Sequence, residues 1–269
     1  MFDTETYLSI LGYSTPPGAT LEALCDLHKQ HLIALPYDSS LNTGQDSSLW
    51  ENVDIDADQV FDEIVRGGRG GVCYELNGLF RILLQKLGFE VEVLAAGIRQ
   101  IDGSFGPELE HVFNYAVVDG EIYLVDVGFV GPSYLEPLHL TFGSQEQYGN
   151  SFKIVEEQGY RVVYRRGRIG DWAAVYRFHL KPRGFSEWSN PDSELADFAR
   201  ALARSGTLVR GRAFENGQRI LIGRRYLTVD GGHDRIRAVI DPTDQDEVLS
   251  DILHRDPRYR GRRSTQSYE

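Results

Sequence analysis

At 269 residues the chain is long enough for one large domain or two to three small ones with proper cores, and its 41% hydrophobic and 25% charged residues suit an ordinary soluble globular protein. Its 40 Asp and Glu against 28 Lys and Arg leave a net charge of −12, which argues against nonspecific nucleic-acid binding and anionic membrane surfaces without forbidding a local cationic cluster for an anionic co-substrate. No apolar run approaches a membrane span, residues 1–11 lack a secretory-signal pattern, and the two cysteines lie in separate helical patterns, so a reducing, cytoplasmic location is expected.

A short helix-like segment from Phe2 to about Gly12 is broken by Thr15-Pro16-Pro17-Gly18, and Thr20 is a candidate cap for the next helix. That helix carries Leu21, Leu24, Cys25, His28 and Leu32 as its apolar stripe. His28 and His31 do not have the spacing of a helical metal-ligand pair, so they read as structural. Pro36-Tyr37-Asp38-Ser39-Ser40 ends the helix. Asp56 to Val65 reads as a helix capped by Asp56 or Asp58, leading into the repeated Arg-Gly-Gly of residues 66–71. This repeat reads as a flexible approach, since a phosphate loop would need Lys and then Ser or Thr after its last glycine. Val72, Leu76, Leu79, Phe80, Leu83 and Leu87 then mark an amphipathic helix stopped by Gly88, and residues 1–88 form an expected helical domain.

From Phe89 the period changes to that of strands: Val91–Ala96, His111–Val118, Glu121–Val127, Tyr134–Leu138, Lys153–Val155, Arg161–Tyr164 and Ala174–His179. Short strands at this spacing predict a barrel-like domain over residues 89–190. The loop Asp102–Pro107, with two glycines, is either part of the substrate entrance or an ordinary surface connection. Residues 191–269 form an expected α/β lid, with a helix over Ser193–Ala203 capped by Asp192 or Ser193 and bearing Leu195, Phe198, Ala199 and Leu202. A hairpin follows at Asn216-Gly217, with strands at Arg219–Ile222 and Tyr226–Val229, then a closing helix at Asp246–His254 and a polar, mobile tail from Asp256 to Glu269. Arg210, Arg212, Arg219, Arg224 and Arg225 cluster in sequence, most of them reading as solvated strand and turn residues.

The chemistry points to Cys73, which lies in the first turn of its helix. There unpaired N–H groups and the helix dipole stabilise negative charge, making the sulfur a candidate nucleophile; the alternative is a cysteine packed as a small hydrophobe. A nucleophile needs a base and a group to orient that base. If Asp119-Gly120 make a two-residue turn, Val118 faces Glu121 and Asp126 faces Phe113, so His111 and Asp126 become diagonal neighbours on one face. A slip of one residue would separate them.

Arg69-Gly70-Gly71-Val72-Cys73-Tyr74-Glu75-Leu76-Asn77 resembles the arginine-Gly-Gly-x-Cys-x-Glu-x-Asn signature of the arylamine N-acetyltransferases. His111 resembles the family's histidine, and Asp126-Val127-Gly128-Phe129 its aspartate segment. Leu24–His31 followed by Leu35–Asp38 is similar to the family's first-domain pattern, and the resemblance spans roughly residues 2–255. It implies an α+β fold with a papain-like Cys-His-Asp arrangement: Cys73, His111 and Asp126 catalytic, Tyr37, Phe129 and Val130 binding substrate, and Arg69, Asp38, Glu75 and Asn77 giving structural support, with Asp38 paired to Arg69. The implied reaction takes an acetyl group from acetyl-CoA through a Cys73 thioester to an arylamine, arylhydrazine or N-hydroxyarylamine. Acetyl-CoA would be a co-substrate, and no permanently bound cofactor or metal is implied. Ser39, Glu110 and Val130 depart from the family pattern, where an amide, a small hydroxyl residue and a glycine are usual. They motivate an alternative, an amide synthase that joins an acyl chain from an acyl carrier protein to an amine. Glu110 and Val130 either alter acyl and acceptor choice or point away from the site. A cysteine hydrolase, a binding protein with a relict site and a metal site are more distant alternatives; amine-independent turnover would mark the first and an unreactive Cys73 the second.

Overall fold

The computed structural model describes residues 1–40, 50, 52–141, 143–189 and 192–254. Helix α1 (Thr4–Ile10) starts where the Asp3 carboxylate accepts the N–H groups of Glu5 and Thr6, and α2 (Leu21–Ala34) starts at Thr20. A two-residue strand, β1 (Tyr37–Asp38), follows α2. Helix α3 (Ala57–Phe61), capped by Asp56, runs into one π turn at Asp62–Arg66. Helix α4 (Cys73–Lys86) ends at Leu87, and Gly88 takes a left-handed φ of 92° that a side chain would strain. Leu76, Leu79, Phe80, Leu83 and Leu84 of α4 are all buried in one core with Leu24 and Leu27 of α2. Burying such a side chain is worth about 1.5–3 kcal/mol, so this stripe seats the helix and with it Cys73.

Eight antiparallel strands curl into a nearly closed barrel: β2 (Glu90–Ile98), β3 (His111–Val118), β4 (Glu121–Val125), β5 (Leu138–His139), β6 (Ser144–Gln147), β7 (Asn150–Glu157), β8 (Tyr160–Arg166) and β9 (Ala173–Phe178), in the order β5-β4-β3-β2-β9-β8-β7-β6. Asp119-Gly120, Tyr148-Gly149 and Gln158-Gly159 have positive φ at both positions, the geometry of tight hairpins. The interior holds Leu94, Phe113, Phe152, Val163, Tyr176 and Phe178. The expected strand at Tyr134–Leu138 is not one, because the N–H groups of Leu135 and Glu136 both donate to Gln147 Oε1, at 3.2 and 3.1 Å, and Pro137 has none to offer. The polar Ser144–Gln147 is a strand whose sequence carries no apolar alternation.

A short α5 (Ser186–Ser189) leads to α6 (Ser193–Ser205), where Asp192 accepts the Leu195 N–H as cap. Leu202, expected in its apolar stripe, is exposed: the buried stripe is the narrower pair Leu195 and Ala199. A second antiparallel sheet contains β1, β10 (Val209–Phe214), β11 (Gly217–Ile222), β12 (Arg225–Asp230) and β13 (His233–Ala238) in that order. The hairpin turn is Glu215-Asn216 rather than Asn216-Gly217, since Gly217 already pairs with Phe214. A Cβ on Gly217 would fall 1.8 Å from the Val229 carbonyl oxygen, so glycine serves strand packing there. The closing helix α7 (Pro242–Leu253) begins four residues before Asp246, because Asp241 caps it and Pro242 suits its first turn. The tail expected to be mobile lies outside the described residues. Through β1 the helical segment is the edge strand of the C-terminal sheet, with Tyr37 opposite Gly211 and Asp38 opposite Arg210.

Candidate active site

Cys73 is the first residue of α4 and is buried. The turn before it is clamped from two sides. The Val72 N–H donates to Glu75 Oε2 at 3.0 Å, and Arg69 meets Glu75 at 2.6 Å and Glu63 at 2.9 Å. On the other side the Gly71 N–H donates to the Pro36 carbonyl at 3.1 Å and the Asp38 N–H to the Gly71 carbonyl at 3.0 Å. A Cβ on Gly70 would lie 2.6 Å from that of Asp38, and one on Gly71 2.6 Å from Ile64 Cδ1. Gly70 therefore permits close approach of the 36–38 segment and Gly71 close packing of the Ile64 and Leu76 side chains, where the sequence had suggested a flexible lead-in. The expected Asp38–Arg69 pair is corrected likewise: Asp38 pairs with Arg210 across the sheet at 3.1 Å, and braces the loop through its backbone. Ser39 continues that sheet, its hydroxyl accepting the Val209 N–H at 2.9 Å.

His111 and Asp126 meet as the hairpin spacing requires, with Val118 opposite Glu121 and Asn114 opposite Val125, and His111 Nε2 2.7 Å from Asp126 Oδ2. Phe113, Phe129 and Tyr176 surround the imidazole with centroids 5.9, 5.5 and 5.8 Å away. Burial alone would depress its pKa, but the charge and hydrogen bond of Asp126, together with the adjacent Cys73 sulfur, push it up to about 10. With Nε2 engaged by Asp126, Nδ1 is the nitrogen left for the sulfur. The arrangement can pass a proton between sulfur and imidazole while the carboxylate holds the ring.

Asp126 is itself fixed by three other groups. Its Oδ1 accepts from Asn77 Nδ2 at 3.0 Å and from the Gly128 N–H at 3.1 Å. Asn77 also accepts the Val127 N–H at 2.9 Å and donates to the Val112 carbonyl at 2.8 Å, tying α4 to both strands. The Asp126 N–H donates to His28 Nε2 at 3.1 Å, while His28 Nδ1–H donates to the Leu135 carbonyl at 2.8 Å. Burial lowers the His28 pKa to about 4, which keeps the Nε2 lone pair free to accept. This contact with His28 was missed in sequence, where a histidine on an apolar stripe gives no sign of a partner 98 positions away. Asn114, whose side chain donates to the Asn77 carbonyl at 3.0 Å, was also missed.

Tyr37, Phe129 and Val130 come together with Val127, Gly211 and Ile220 around a cavity of about 20 Å³ between α2, the 127–131 loop and the C-terminal sheet. That volume holds roughly one water. A Cβ on Gly211 would lie 2.8 Å from Val130 Cγ2, so Val130 packs into the space that this glycine leaves. Glu110 is buried and turned to β2, accepting from the Ile98 N–H at 2.9 Å and from Gln100 Nε2 at 3.3 Å. Burial raises its carboxyl to about 7. The 102–107 loop folds onto the same corner, with the Gly106 N–H on the Ile98 carbonyl at 2.9 Å. The sequence cluster of arginines disperses: Arg210 pairs with Asp38, Arg212 donates to the Leu253 and His254 carbonyls, and Arg219 lies over Phe214.

A protein-family model described as N-acetyltransferase matches residues 20–255. The sequence is 40% identical over 262 residues, 95% of this chain and 98% of the other, to the proansamycin X synthase of Amycolatopsis mediterranei strain S699. It is 32% identical over 187 residues, 67% of this chain and 66% of the other, to an arylamine N-acetyltransferase of Mycolicibacterium smegmatis. The fold matches the arylamine N-acetyltransferase of Mycobacterium marinum, solved in complex with CoA, with a TM-score of 0.74 at 24% identity, covering 93% of this chain and 91% of that one.

Proposed function

The chain belongs to the arylamine N-acetyltransferase family and is an acyltransferase, and from that premise we propose that Cys73 takes an acyl group from a thioester and passes it to an amine. His111 is the base and Asp126 holds it in orientation. The observation that carries this reading is the buried His111 imidazole, bonded to Asp126 at 2.7 Å and neighbouring the sulfur at the head of α4. With its proton already resting on His111, the sulfur attacks the thioester carbonyl as a thiolate. We assign the oxyanion that forms to a backbone N–H at the head of α4, that of Cys73 or Tyr74. Collapse breaks the donor carbon–sulfur bond, and the departing thiolate takes the proton from His111. The amine then attacks the Cys73 thioester, loses its proton to His111 and expels the Cys73 sulfur as an anion beside the imidazolium. Exchange between thioesters is nearly balanced and keeps the acyl group activated for the amide bond.

Two donors are consistent with this chemistry. Acetyl-CoA with an arylamine, arylhydrazine or N-hydroxyarylamine is the family's implied pair, supported by the fold shared with the CoA-bound mycobacterial enzyme. A larger acyl chain borne by a carrier protein is favoured by the 40% identity, over nearly the whole chain, to a protein named as a synthase. That match is longer and closer than the one to the acetyltransferase, so the amide-synthase reading is tested first. Intact-protein mass after brief mixing with acetyl-CoA, or with a hexanoyl-loaded carrier protein, separates them. The expected result is a hexanoyl adduct on the native protein, absent from Cys73→Ser and discharged by an arylamine. An acetyl adduct formed faster than the hexanoyl one would restore the acetyltransferase reading, and no adduct from either donor would refute acyl transfer through Cys73.

A further inference from the structure

The outer face of β7, β8 and β9 carries an arrangement the reaction does not use. Arg177 lies over the rings of Phe105 and Tyr160, at 5.0 and 4.3 Å, and Arg99 lies over Phe105 at 5.4 Å. Further along the same face Lys153 lies over Tyr164 and Trp172, at 5.3 and 4.6 Å, and Arg166 over Trp172 at 4.7 Å. The strand register puts them on one surface: Lys153 is opposite Tyr164, and Arg177 opposite Val162, two residues from each of Tyr160 and Tyr164. Among the described residues none of Arg99, Lys153, Arg166 and Arg177 forms an ion pair with a carboxylate. The acids nearby are spoken for in part: Glu157 accepts from the Tyr164 hydroxyl, Glu108 is held by Tyr160 and Arg183, and Asp102 accepts from Ser104. In a chain of net charge −12, a face with four such cations stands out against the global sign.

We propose that this face docks an acidic protein domain, and, resting on the amide-synthase reading above, that this domain is the carrier of the acyl thioester. Three observations favour a protein over a small anion. The face runs from Tyr160 to Arg166 along β8, roughly 20 Å at about 3.3 Å per residue. It is a sheet surface, whereas small ligands take concave sites. Its aromatic rings are already stacked by the chain's own cations, which leaves charge rather than ring faces on offer. The face also lies beside the strands that carry the base, on the outer side of the sheet whose inner side holds His111. Arg177 is opposite Gly97 on β2, the Ile98 N–H is held by Glu110, and Glu110 precedes His111. An acidic partner repelled by the rest of the molecule would be steered to this face and so arrive beside the corner that carries the base.

The test compares three hexanoyl donors with 4-methoxyaniline as acceptor: a hexanoyl-loaded acyl carrier protein, hexanoyl-N-acetylcysteamine and hexanoyl-CoA. The variants are Lys153→Gln/Arg177→Gln and the charge reversal Lys153→Glu/Arg177→Glu, with thermal unfolding as a check on folding. The expected result is a KM for the carrier-borne donor that rises about tenfold in the neutral pair and further in the reversed pair, and that rises with salt in the native protein. Against the N-acetylcysteamine thioester both variants stay within about twofold of the native protein, because that donor lacks the charged body. A native protein that prefers the carrier-borne donor while the variants do so equally would overturn the docking face and leave the amide-synthase reading standing. A native protein that gains nothing from the carrier would overturn both. Loss confined to hexanoyl-CoA would reassign the face to the nucleotide of CoA, and equal loss with all three donors would show that the residues serve only the fold.

Discussion

His28, His31 and His111 are all buried, yet burial leaves the first two neutral, with pKa values lowered to about 4 and about 3, while Asp126 holds the third charged up to about pH 10. The signs give a pH prediction. Between pH 4.5 and 6.5, His28 and His31 bind protons in the unfolded chain and not in the folded one, so acidification destabilises the protein. Glu110 acts in the opposite sense there, since its folded carboxyl keeps a proton up to about pH 7. Each group contributes about 1.4 kcal/mol per pH unit. Two histidines against one carboxyl leave a net loss of about 1.4 kcal/mol per unit of acidification by the same reckoning. Glu110→Gln removes the opposing group, and urea unfolding at pH 4.5, 5.5 and 6.5 is expected to show roughly twice that slope. His111 stabilises fully below pH 6.5, and its contribution fades as pH rises toward 10. His28→Phe keeps a flat ring on Tyr134 but leaves the Leu135 carbonyl and the Asp126 N–H unpaired, at about 1–3 kcal/mol each. Its urea midpoint should fall, and Cys73 acylation should slow as Asp126 loses its backbone anchor. Cys73, His111 and Asp126 were legible as candidates because each sits in a local pattern; His28 was not, because its partners come from distant strands.

Helix α4 and the β3–β4 hairpin meet at Gly128, where a Cβ would lie 2.7 Å from Cys73 Cα and 2.6 Å from Asn77 Nδ2. Gly128→Ala must therefore push the Asp126–Phe129 segment off the helix. Overpacking of this kind costs about 1–3 kcal/mol. Expected results are a lower melting temperature and a rate of Cys73 acylation down by about tenfold or more, since small misplacements at a reacting centre are costly. Asn77→Ala removes the bonds to Val112, Asp126 and Val127 together, and should destabilise by about 2 kcal/mol or more because buried groups lose their partners. Unchanged urea midpoints for Asn77→Ala would refute the idea that this side chain ties helix to barrel. The hairpin register was legible because Asp119-Gly120 fixes it locally. Tyr134–Leu138 misled because its residue types suit a strand, while the side chain of Gln147 takes the N–H groups that a strand partner would need.

Across the whole molecule, the barrel and the C-terminal sheet are joined by Arg165, which is buried and meets Asp234 of β13 through two nitrogens, at 2.8 and 2.5 Å. Asp234 is partly exposed, so the loss on Asp234→Ala is set at about 1–3 kcal/mol, below the value for a fully buried pair. Hydrogen exchange should then quicken over residues 225–238 while β2 and β3 stay protected; uniform exchange would argue against a separately anchored sheet. Among the described residues no helix is long and apolar enough to cross a membrane. The sequence by itself determined the change from helical to strand periodicity near residue 89, the place of Cys73 at a helix start, and the spacing that sets His111 against Asp126. These follow from rules that act over a few residues: cap chemistry, glycine at positive φ and alternation along a strand. Only the tertiary structure decided that Asp38 pairs with Arg210, that Glu110 turns to β2, that His28 holds Asp126, and that unpaired cations gather on one sheet face. Each of those is a choice among partners far apart in the chain, settled by which surfaces the packed core brings within hydrogen-bond reach.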